Sequence, residues 1–239
     1  MELKQILKDG CSQIGFHMDD KAIQQFMIYK DLLLEWNQKM NLTAITEEKE
    51  VIIKHFIDSI SCTKIKELKN SGKIIDVGTG AGFPGIPLKV IYPDLKLTLL
   101  DSLNKRINFL KEVCFQLELP DVEFVHGRAE DYGQDKNYRE VYDYAVARAV
   151  APLNVLVEYC LPFVKVGGYF ICQKGPALDE ELLEAEKSIK VIGGKVVDKK
   201  SISLPYTEIT HNILVIEKTK ETSTKYPRKA GKPTKNPIK

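Results

Sequence analysis

From Gly72 onward, short β-branched runs alternate with helical segments, and this alternation limits the possible folds more than any other feature of the sequence. Strands that alternate with helices in this way form a parallel sheet with helices on both faces. The last two strand-like runs have no helix between them and predict a hairpin, in which one strand is antiparallel. We therefore expect an α/β fold with a doubly wound, mostly parallel sheet and an antiparallel terminal strand. The predicted strands are residues 73–77, 97–100, 122–126, 142–147, 168–173, 195–204 and 212–217, and the helices among them are residues 84–91, 105–117, 152–159 and 178–191.

The chain divides into three parts by pattern. Residues 1–70 are helical in character and predict an N-terminal extension packed on the core, with Asp19 and Asp20 as candidate caps of a first helix and Thr46 as the cap of a second. Residues 71–217 form the predicted α/β domain, and residues 218–239 a basic C-terminal tail. A chain of 239 residues is long enough to bury a substantial core.

The net charge of +2 conceals an asymmetry. Residues 218–239 contain eight basic residues and one acidic residue, or +7, whereas the rest of the chain carries 27 basic and 32 acidic residues, or −5. A mildly acidic body with a strongly basic end is typical of contact with nucleic acid or another anionic surface.

Several classes of protein are disfavoured by composition. The longest apolar stretch, residues 153–172, is interrupted by Glu158 and Lys165, so no membrane-spanning segment is expected. The first ten residues mix charged and apolar side chains, unlike a secretion signal. Five scattered cysteines without C-x-x-C spacing fit neither a disulfide framework nor a zinc site, which predicts a cytoplasmic protein. No interface motif is visible, and a monomer is expected.

The segment DVGTGAGFPG, residues 76–85, lies between a predicted strand and a predicted helix. Gly78, Gly80 and Gly82 allow a sharp turn and a close approach of the backbone to a ligand. Asp101 ends the next strand, where a carboxylate can accept both hydroxyls of an adenosine ribose. These features favour a nucleoside-type ligand over a tight turn with a purely structural role.

The spacing of the glycines narrows the ligand class. A dinucleotide fingerprint requires a third glycine at the position of Phe83, whereas the third glycine here is Gly82. Asp76 precedes the turn and would repel phosphates, but it can hold an amino-acid ammonium group directly or through water. The pattern D-x-G-x-G-x-G followed by an acidic residue resembles the S-adenosylmethionine site of Rossmann-like class I methyltransferases.

A closer resemblance extends over essentially the whole chain. The motifs that carry this resemblance are WNQKMNLTAI (36–45), HFIDSI (55–60), DVGTGAGFPGIPL (76–88), DSLNKRINFL (101–110), GRAE (127–130), ARAVAPL (147–153) and YPRKAGKP (226–233). With these motifs in this order, the sequence is similar to the bacterial small-subunit (16S) ribosomal RNA guanine-N7 methyltransferase family, formerly called glucose-inhibited division protein B.

The resemblance implies S-adenosylmethionine as cofactor and Gly78, Phe83, Ala129, Glu130 and Arg148 as residues that contact it. Ala147 stands where serine is common in the family, which puts one secondary hydrogen bond in doubt. Without a cofactor role, Arg148 would simply pair with a carboxylate, and the candidates are Asp143 and Glu158.

Methylation of guanine N7 requires positioning rather than proton transfer, because N7 presents a lone pair and no proton at neutral pH. The sequence lacks the Asp/Asn-Pro-Pro-Tyr/Phe motif of amine methyltransferases and the Pro-Cys nucleophile of cytosine-C5 enzymes, so no catalytic acid or base is assigned. His55 and Asp58 share a helix face, and we interpret them as a packing or surface pair rather than a metal site. The alternatives are a nicotinamide-dependent oxidoreductase and a non-catalytic RNA-binding module.

Candidate RNA contacts lie at the carboxyl edge of the sheet and in the tail. Lys174 follows a strand and is either a substrate contact or a solvated lysine. In the tail, Tyr226 and Arg228 can stack on unpaired bases, while Lys229 and Lys232 can pair with phosphates of 16S ribosomal RNA or of an assembling small subunit. The alternative is a solvated, mobile tail. Removal of everything after Glu217 is expected to leave cofactor affinity intact and to flatten the salt dependence of RNA binding.

Overall fold

The computed structural model describes residues 2–148 and 151–239, and its central feature is a seven-stranded sheet with helices on both faces. Residues 149 and 150 of the ARAVAPL motif lie outside the described residues. The strands are β1 (Ser71–Val77), β2 (Asp94–Asp101), β3 (Val122–His126), β4 (Tyr142–Arg148), β5 (Val164–Lys174), β6 (Gly194–Ser203) and β7 (Thr210–Lys218). The helices are α1 (Leu3–Gln13), α2 (Asp20–Met40), α3 (Glu48–Val51), α4 (Asp58–Ile60), α5 (Gly85–Ile91), α6 (Asn104–Gln116), α7 (Ala129–Tyr132), α8 (Leu153–Cys160), α9 (Leu178–Ile192) and α10 (Lys232–Lys235).

The strand order is β3-β2-β1-β4-β5-β7-β6. The first five strands are parallel, and β7 is antiparallel to both of its neighbours, β5 and β6. The prediction of a doubly wound, mostly parallel sheet with an antiparallel last strand is confirmed. Each predicted strand and helix of residues 71–217 occurs within a few residues of its expected position, because every element carries its own local apolar pattern.

Side chains of the sheet alternate between two apolar clusters. In β1, Ile74 contributes to a cluster that includes the N-terminal helices, α5 and α6, whereas Ile75 contributes to a cluster with α8 and α9. Successive residues of a strand point to opposite faces, so a strand covered on both sides is apolar throughout its buried part.

The N-terminal extension is helical, as predicted, and packs on one face of the sheet. Asp19 caps α2, accepting a hydrogen bond from Ala22 N at 2.7 Å, which confirms the first cap. The prediction of a Thr46 cap is wrong: the second helical segment starts one residue later, with Glu47 at the N-cap position. That segment passes from α3 to α4 through a π-helical turn, Ile52–Ile57, a wider turn that the apolar spacing did not reveal.

The C-terminal tail folds back onto the α/β domain. The Arg228 guanidinium forms a bidentate salt bridge with the carboxylate of Glu158 on α8, with Nε 2.9 Å from Oε1 and Nη2 2.6 Å from Oε2. Glu158 is fully buried. Arg139 donates to the backbone carbonyls of Thr222 and Tyr226. The boundary expected after residue 217 falls one residue before the end of β7, and the segment beyond it is held by these contacts.

Within the described residues, no helix combines the length and apolar character needed to cross a membrane. All five cysteines are free and buried.

Candidate functional site

The glycine-rich turn joins the end of β1 to the start of α5 at the carboxyl edge of the sheet. Asp76, at the end of β1, is fully buried beneath the turn. Its Oδ2 accepts hydrogen bonds from Thr79 Oγ1 at 2.7 Å and from Gly85 N at 2.8 Å, so it ties the two ends of the turn together. Burial raises the pKa of Asp76 to about 6, against the lowering effect of these hydrogen bonds. The predicted contact of Asp76 with an ammonium group stays a prediction.

Gly80 lies at the tip of the turn with a φ of +62°, and a Cβ built on it would have no heavy atom within 4 Å. Its amide donates to Asp101 Oδ2 at 2.9 Å, which links the turn to the end of β2. Gly82 has a φ of +97° and has no room for a side chain, because a Cβ there would lie 2.5 Å from the Tyr29 hydroxyl. The turn therefore has an open side at Gly80 and a packed side at Gly82.

Phe83 lies in an aromatic stack built by the N-terminal extension. Its ring centroid is 4.5 Å from that of His55 and 5.4 Å from that of Tyr29, in nearly parallel planes. The guanidinium carbon of Arg148 lies 4.8 Å from the same centroid. Tyr29 also donates from its hydroxyl to the carbonyl of Ala81. The N-terminal extension thus fixes the turn from outside, and the Phe83 ring is buried in this aromatic stack.

Arg148 ends β4 and pairs with Asp58, not with Asp143 or Glu158. Nη1 of Arg148 lies 2.9 Å from Asp58 Oδ2, and His211 Nδ1 lies 2.7 Å from the other carboxylate oxygen. Asp143 instead pairs with Lys165, and Glu158 with Arg228. His55 and Asp58 do pack together, and both contact the half-buried guanidinium of Arg148, which is remote in sequence.

His55 is held as a neutral ring between two partners. Arg148 Nη2 lies 3.0 Å from Nδ1 of His55, and Thr43 Oγ1 lies 2.9 Å from Nε2. Because a guanidinium only donates, Nδ1 accepts and Nε2 carries the proton, which it donates to Thr43. Burial and the neighbouring Arg148 lower the pKa of His55 from 6.5 to about 3.

A cavity of about 420 Å³ opens beside the turn, and we call it the nucleoside cavity. A volume in this range suits a small-molecule ligand. Four of the predicted cofactor residues line it, and they come from three strand ends: Gly78, Asp101, Ala129 and Glu130. Asp76, Gly80, Gly82 and Phe83 belong to the glycine-rich turn but do not line this cavity. Arg148 lines a second cavity of about 360 Å³, together with His55, Asp58, Gln173 and Lys174.

Two tail residues, Gly231 and Thr234, also line the nucleoside cavity. Gly231 N donates to Glu130 Oε1 at 2.9 Å. The sequence analysis predicted RNA contact for the tail and did not predict its contact with Glu130. The charge of a segment does not indicate the surface against which that segment folds. The one available signal was a glycine within the basic run.

The predicted RNA residues have different surroundings. Lys174 is buried, with its ammonium 2.7 Å from Glu181, and so is neither a solvated lysine nor a free cation. Arg228 is engaged by Glu158, and Tyr226 is half-buried against the core. Lys229 and Lys232 are exposed. RNA contact by all five stays a prediction, and the exposed lysines are the members with free ammonium groups.

The described residues contain no group of three or more His, Cys, Asp or Glu side chains arranged to hold a metal ion.

Comparison with known proteins gives a consistent result. A family model described as rRNA small subunit methyltransferase G matches residues 22–210. Ribosomal RNA small subunit methyltransferase G of Alkaliphilus metalliredigens is 69% identical over 239 residues, which is 100% of both chains. The protein of the same name from Clostridium botulinum (strain Loch Maree) is 52% identical, again over 100% of both chains.

Solved structures share the fold at low sequence identity. A putative transferase of Pyrococcus horikoshii aligns with a TM-score of 0.54 and 16% identity over 69% of this chain and 63% of its own. The fibrillarin pre-rRNA processing protein of Methanococcus jannaschii aligns with a TM-score of 0.52 and 21% identity over 65% of this chain and 70% of its own. The predicted Rossmann-like fold of class I methyltransferases is confirmed.

Replacing Gly80 with valine is expected to abolish cofactor binding, because the side chain would enter the open space beside the turn. Gly167→Val is the matched control, since Gly167 has a φ of +84°, also has open space at its Cβ, and precedes the buried part of β5. Both variants lose roughly 1–2 kcal/mol of stability from left-handed strain. Calorimetric titration with S-adenosylhomocysteine should separate them, and binding by the Gly80 variant at the wild-type affinity would contradict this placement.

The neutral His55 predicts a defined pH dependence of stability. Because its folded pKa of about 3 lies below its unfolded value of 6.5, the unfolded chain takes up a proton first as the pH falls. Stability is therefore full above pH 6.5 and is lost toward pH 3, by at most about 1.4 kcal/mol per pH unit.

Urea unfolding at pH 6.5, 5.5 and 4.5 tests this dependence. Between the highest and lowest pH, the wild type should lose about 2 kcal/mol more stability than His55→Gln. His17→Gln, at an exposed position, controls for the substitution itself. Equal losses in the wild type and in His55→Gln would show that His55 is not the responsible group.

Proposed function

We propose that this chain, which belongs to the rRNA small subunit methyltransferase G family, transfers a methyl group from S-adenosylmethionine to N7 of a guanine in a loop of 16S ribosomal RNA. The observation that carries the proposal is the nucleoside cavity at the carboxyl edge of the sheet, with carboxylates from β2 and α7, in a chain that matches its relatives from end to end. Family membership also argues against an oxidoreductase and against a module without catalysis.

The cavity fits an adenosine-containing cofactor. Asp101 is buried at the end of β2, and its oxygens accept from Gly80 N and Leu103 N at 2.9 Å each. Oδ2 also accepts from Arg106 Nη1 at 3.3 Å, so the free acceptor site is on Oδ1, where a ribose hydroxyl can donate. Glu130 offers a second acceptor on the opposite side, suited to the amino group of adenine. The open space at Gly80 leaves room for the ligand to approach the backbone.

S-adenosylmethionine, when bound, supplies an electrophilic methyl group. The task of the protein is then to hold the guanine N7 lone pair in line with that methyl group, and orientation alone can supply a large part of the barrier reduction. No proton has to leave N7, so the reaction needs no general base. The neutral His55 ring positions the Arg148 guanidinium without adding charge to the site, and Asp58 neutralises the charge of the guanidinium.

The target base has a candidate site in the second cavity. Its lining includes Arg148, Gln173 and Lys174, at the carboxyl ends of β4 and β5. β4 lies next to β1 in the sheet, and β5 follows β4. A base there approaches the reaction centre from the side opposite the nucleoside cavity. An unpaired guanine in a loop is required, since a paired base hides its edges in a helix.

RNA contact is supported by the exposed lysines of the tail. Lys225, Lys229, Lys232 and Lys235 are exposed on a segment that Arg228 holds to the protein through Glu158. Such lysines can pair with phosphates over a fixed surface. An assembling small subunit as substrate, a cytoplasmic location and a monomeric state complete the proposal.

The decisive experiment supplies methyl-labelled S-adenosylmethionine with 16S ribosomal RNA and identifies the labelled nucleoside after digestion. We expect label in 7-methylguanosine alone. Arg148→Gln, which removes the cation between Phe83 and Asp58, should reduce label transfer strongly, while Lys165→Gln, at an exposed lysine, should not. Label in another nucleoside would refute N7 as the target, and no transfer to any RNA would refute the activity.

The role of the exposed tail lysines is testable through salt dependence. Removing the ammonium groups of Lys229 and Lys232 by double substitution to alanine should flatten the plot of log affinity against log salt, by about 0.7 for each phosphate that no longer has a lysine partner. A matched control replaces Lys187 and Lys190, which are exposed on α9. If the tail and α9 variants bind RNA with the same salt slope, the tail lysines do not contact phosphates.

A further inference from the structure

One side of the nucleoside cavity is built by the tail. Gly231 and Thr234 line it together with Glu130 and Tyr159. Gly231 N donates to Glu130 Oε1 at 2.9 Å, and the hydroxyls of Thr234 and Tyr159 lie 2.9 Å apart. Glu130 is buried. The carboxylate with the expected cofactor role is therefore held by a backbone amide that lies 101 residues away in sequence.

The tail does not depend on a ligand to stay in this place. Glu158 is fully buried and takes its compensating charge from Arg228 in a two-pronged contact. A buried carboxylate without a cation is strongly unfavourable, so this pair fixes the segment immediately before Gly231. Arg228 also donates to the carbonyl of Asn236 at 2.9 Å, which fixes the segment after Thr234. Gly231 and Thr234 lie between these two fixed points.

We infer that residues 231–234 are part of the cofactor site, where they hold the Glu130 carboxylate and close the cavity around an adenine base. This inference rests on the proposed function. The amide of Gly231 occupies one acceptor site of Oε1, and the other sites of the carboxylate remain for the exocyclic amino group of the base. The φ of +79° at Gly231 suits glycine.

The same short segment then serves two ligands. Its inner side meets the cofactor, and its outer side carries the exposed Lys232. Removal of this segment therefore takes away part of the cofactor site together with an exposed lysine. The expectation that tail removal leaves cofactor affinity intact is accordingly replaced by the opposite one.

Truncation after Lys229 tests the inference while keeping the Arg228–Glu158 pair. Calorimetry should show that S-adenosylhomocysteine binds the truncated chain about fivefold to tenfold more weakly than the full chain. Truncation also removes three lysines, so the matched control is the full chain with Lys225, Lys235 and Lys239 replaced by alanine, which keeps the cavity wall. This control should bind as tightly as the wild type.

Hydrogen–deuterium exchange on the unmodified full chain gives an independent readout that does not require a variant to fold. Adding S-adenosylhomocysteine should slow exchange at the amides of Gly231, Lys232 and Thr234 relative to those of Lys187 and Lys190 on α9. Unchanged exchange in the tail, equal affinity of the truncated chain, or equal weakening in the lysine control would each overturn the inference. Failure of the full chain to bind S-adenosylhomocysteine at all would instead refute the proposed function, and the inference with it.

Discussion

The contacts of the buried Asp58 carboxylate join the N-terminal extension to the central sheet. It belongs to the N-terminal extension, yet its partners Arg148 and His211 belong to β4 and β7. A charge at this depth is tolerated only when it is paired and hydrogen-bonded, so the extension has to dock in one position. Once it is docked, His55 and Tyr29 are placed against Phe83, and the turn gains its outer support.

Much of the fold was predictable because each element has a recognisable pattern in its own short stretch of sequence. β1, the glycine turn and α5 each carry their own signal over a few residues, and even the antiparallel β7 followed from a missing helix. The partners of Arg148 and Lys174 were not predictable, since Asp58 and the backbone carbonyl of Ala151 meet them only through the tertiary fold. The π-helical turn was equally hidden, because one extra residue per turn hardly changes an apolar pattern.

For the candidate site, the motifs contain residues that the fold brings to one edge of the sheet, but the motifs do not show which of these side chains hold the backbone there. The sequence predicts Asp76 and Asp101 as ligand contacts, and in the structure each accepts a hydrogen bond from a backbone amide of the turn. The tail shows the same limit: its charge suggested an anionic partner, whereas its first clear partner is a carboxylate of the protein itself, Glu158. Composition reports charge, and only folding decides which charges remain unpaired.

The position of β7 affects how the chain can be made. The last strand, β7, lies inside the sheet between β5 and β6. β6 can therefore enter the sheet only after β7 has paired with β5. During synthesis, β5 presents an open edge while β6 and α9 already exist as chain. Unpaired edges of this kind are prone to wrong pairing. Completion of the sheet, and with it the His211 contact to Asp58, therefore waits until β7 has left the ribosome.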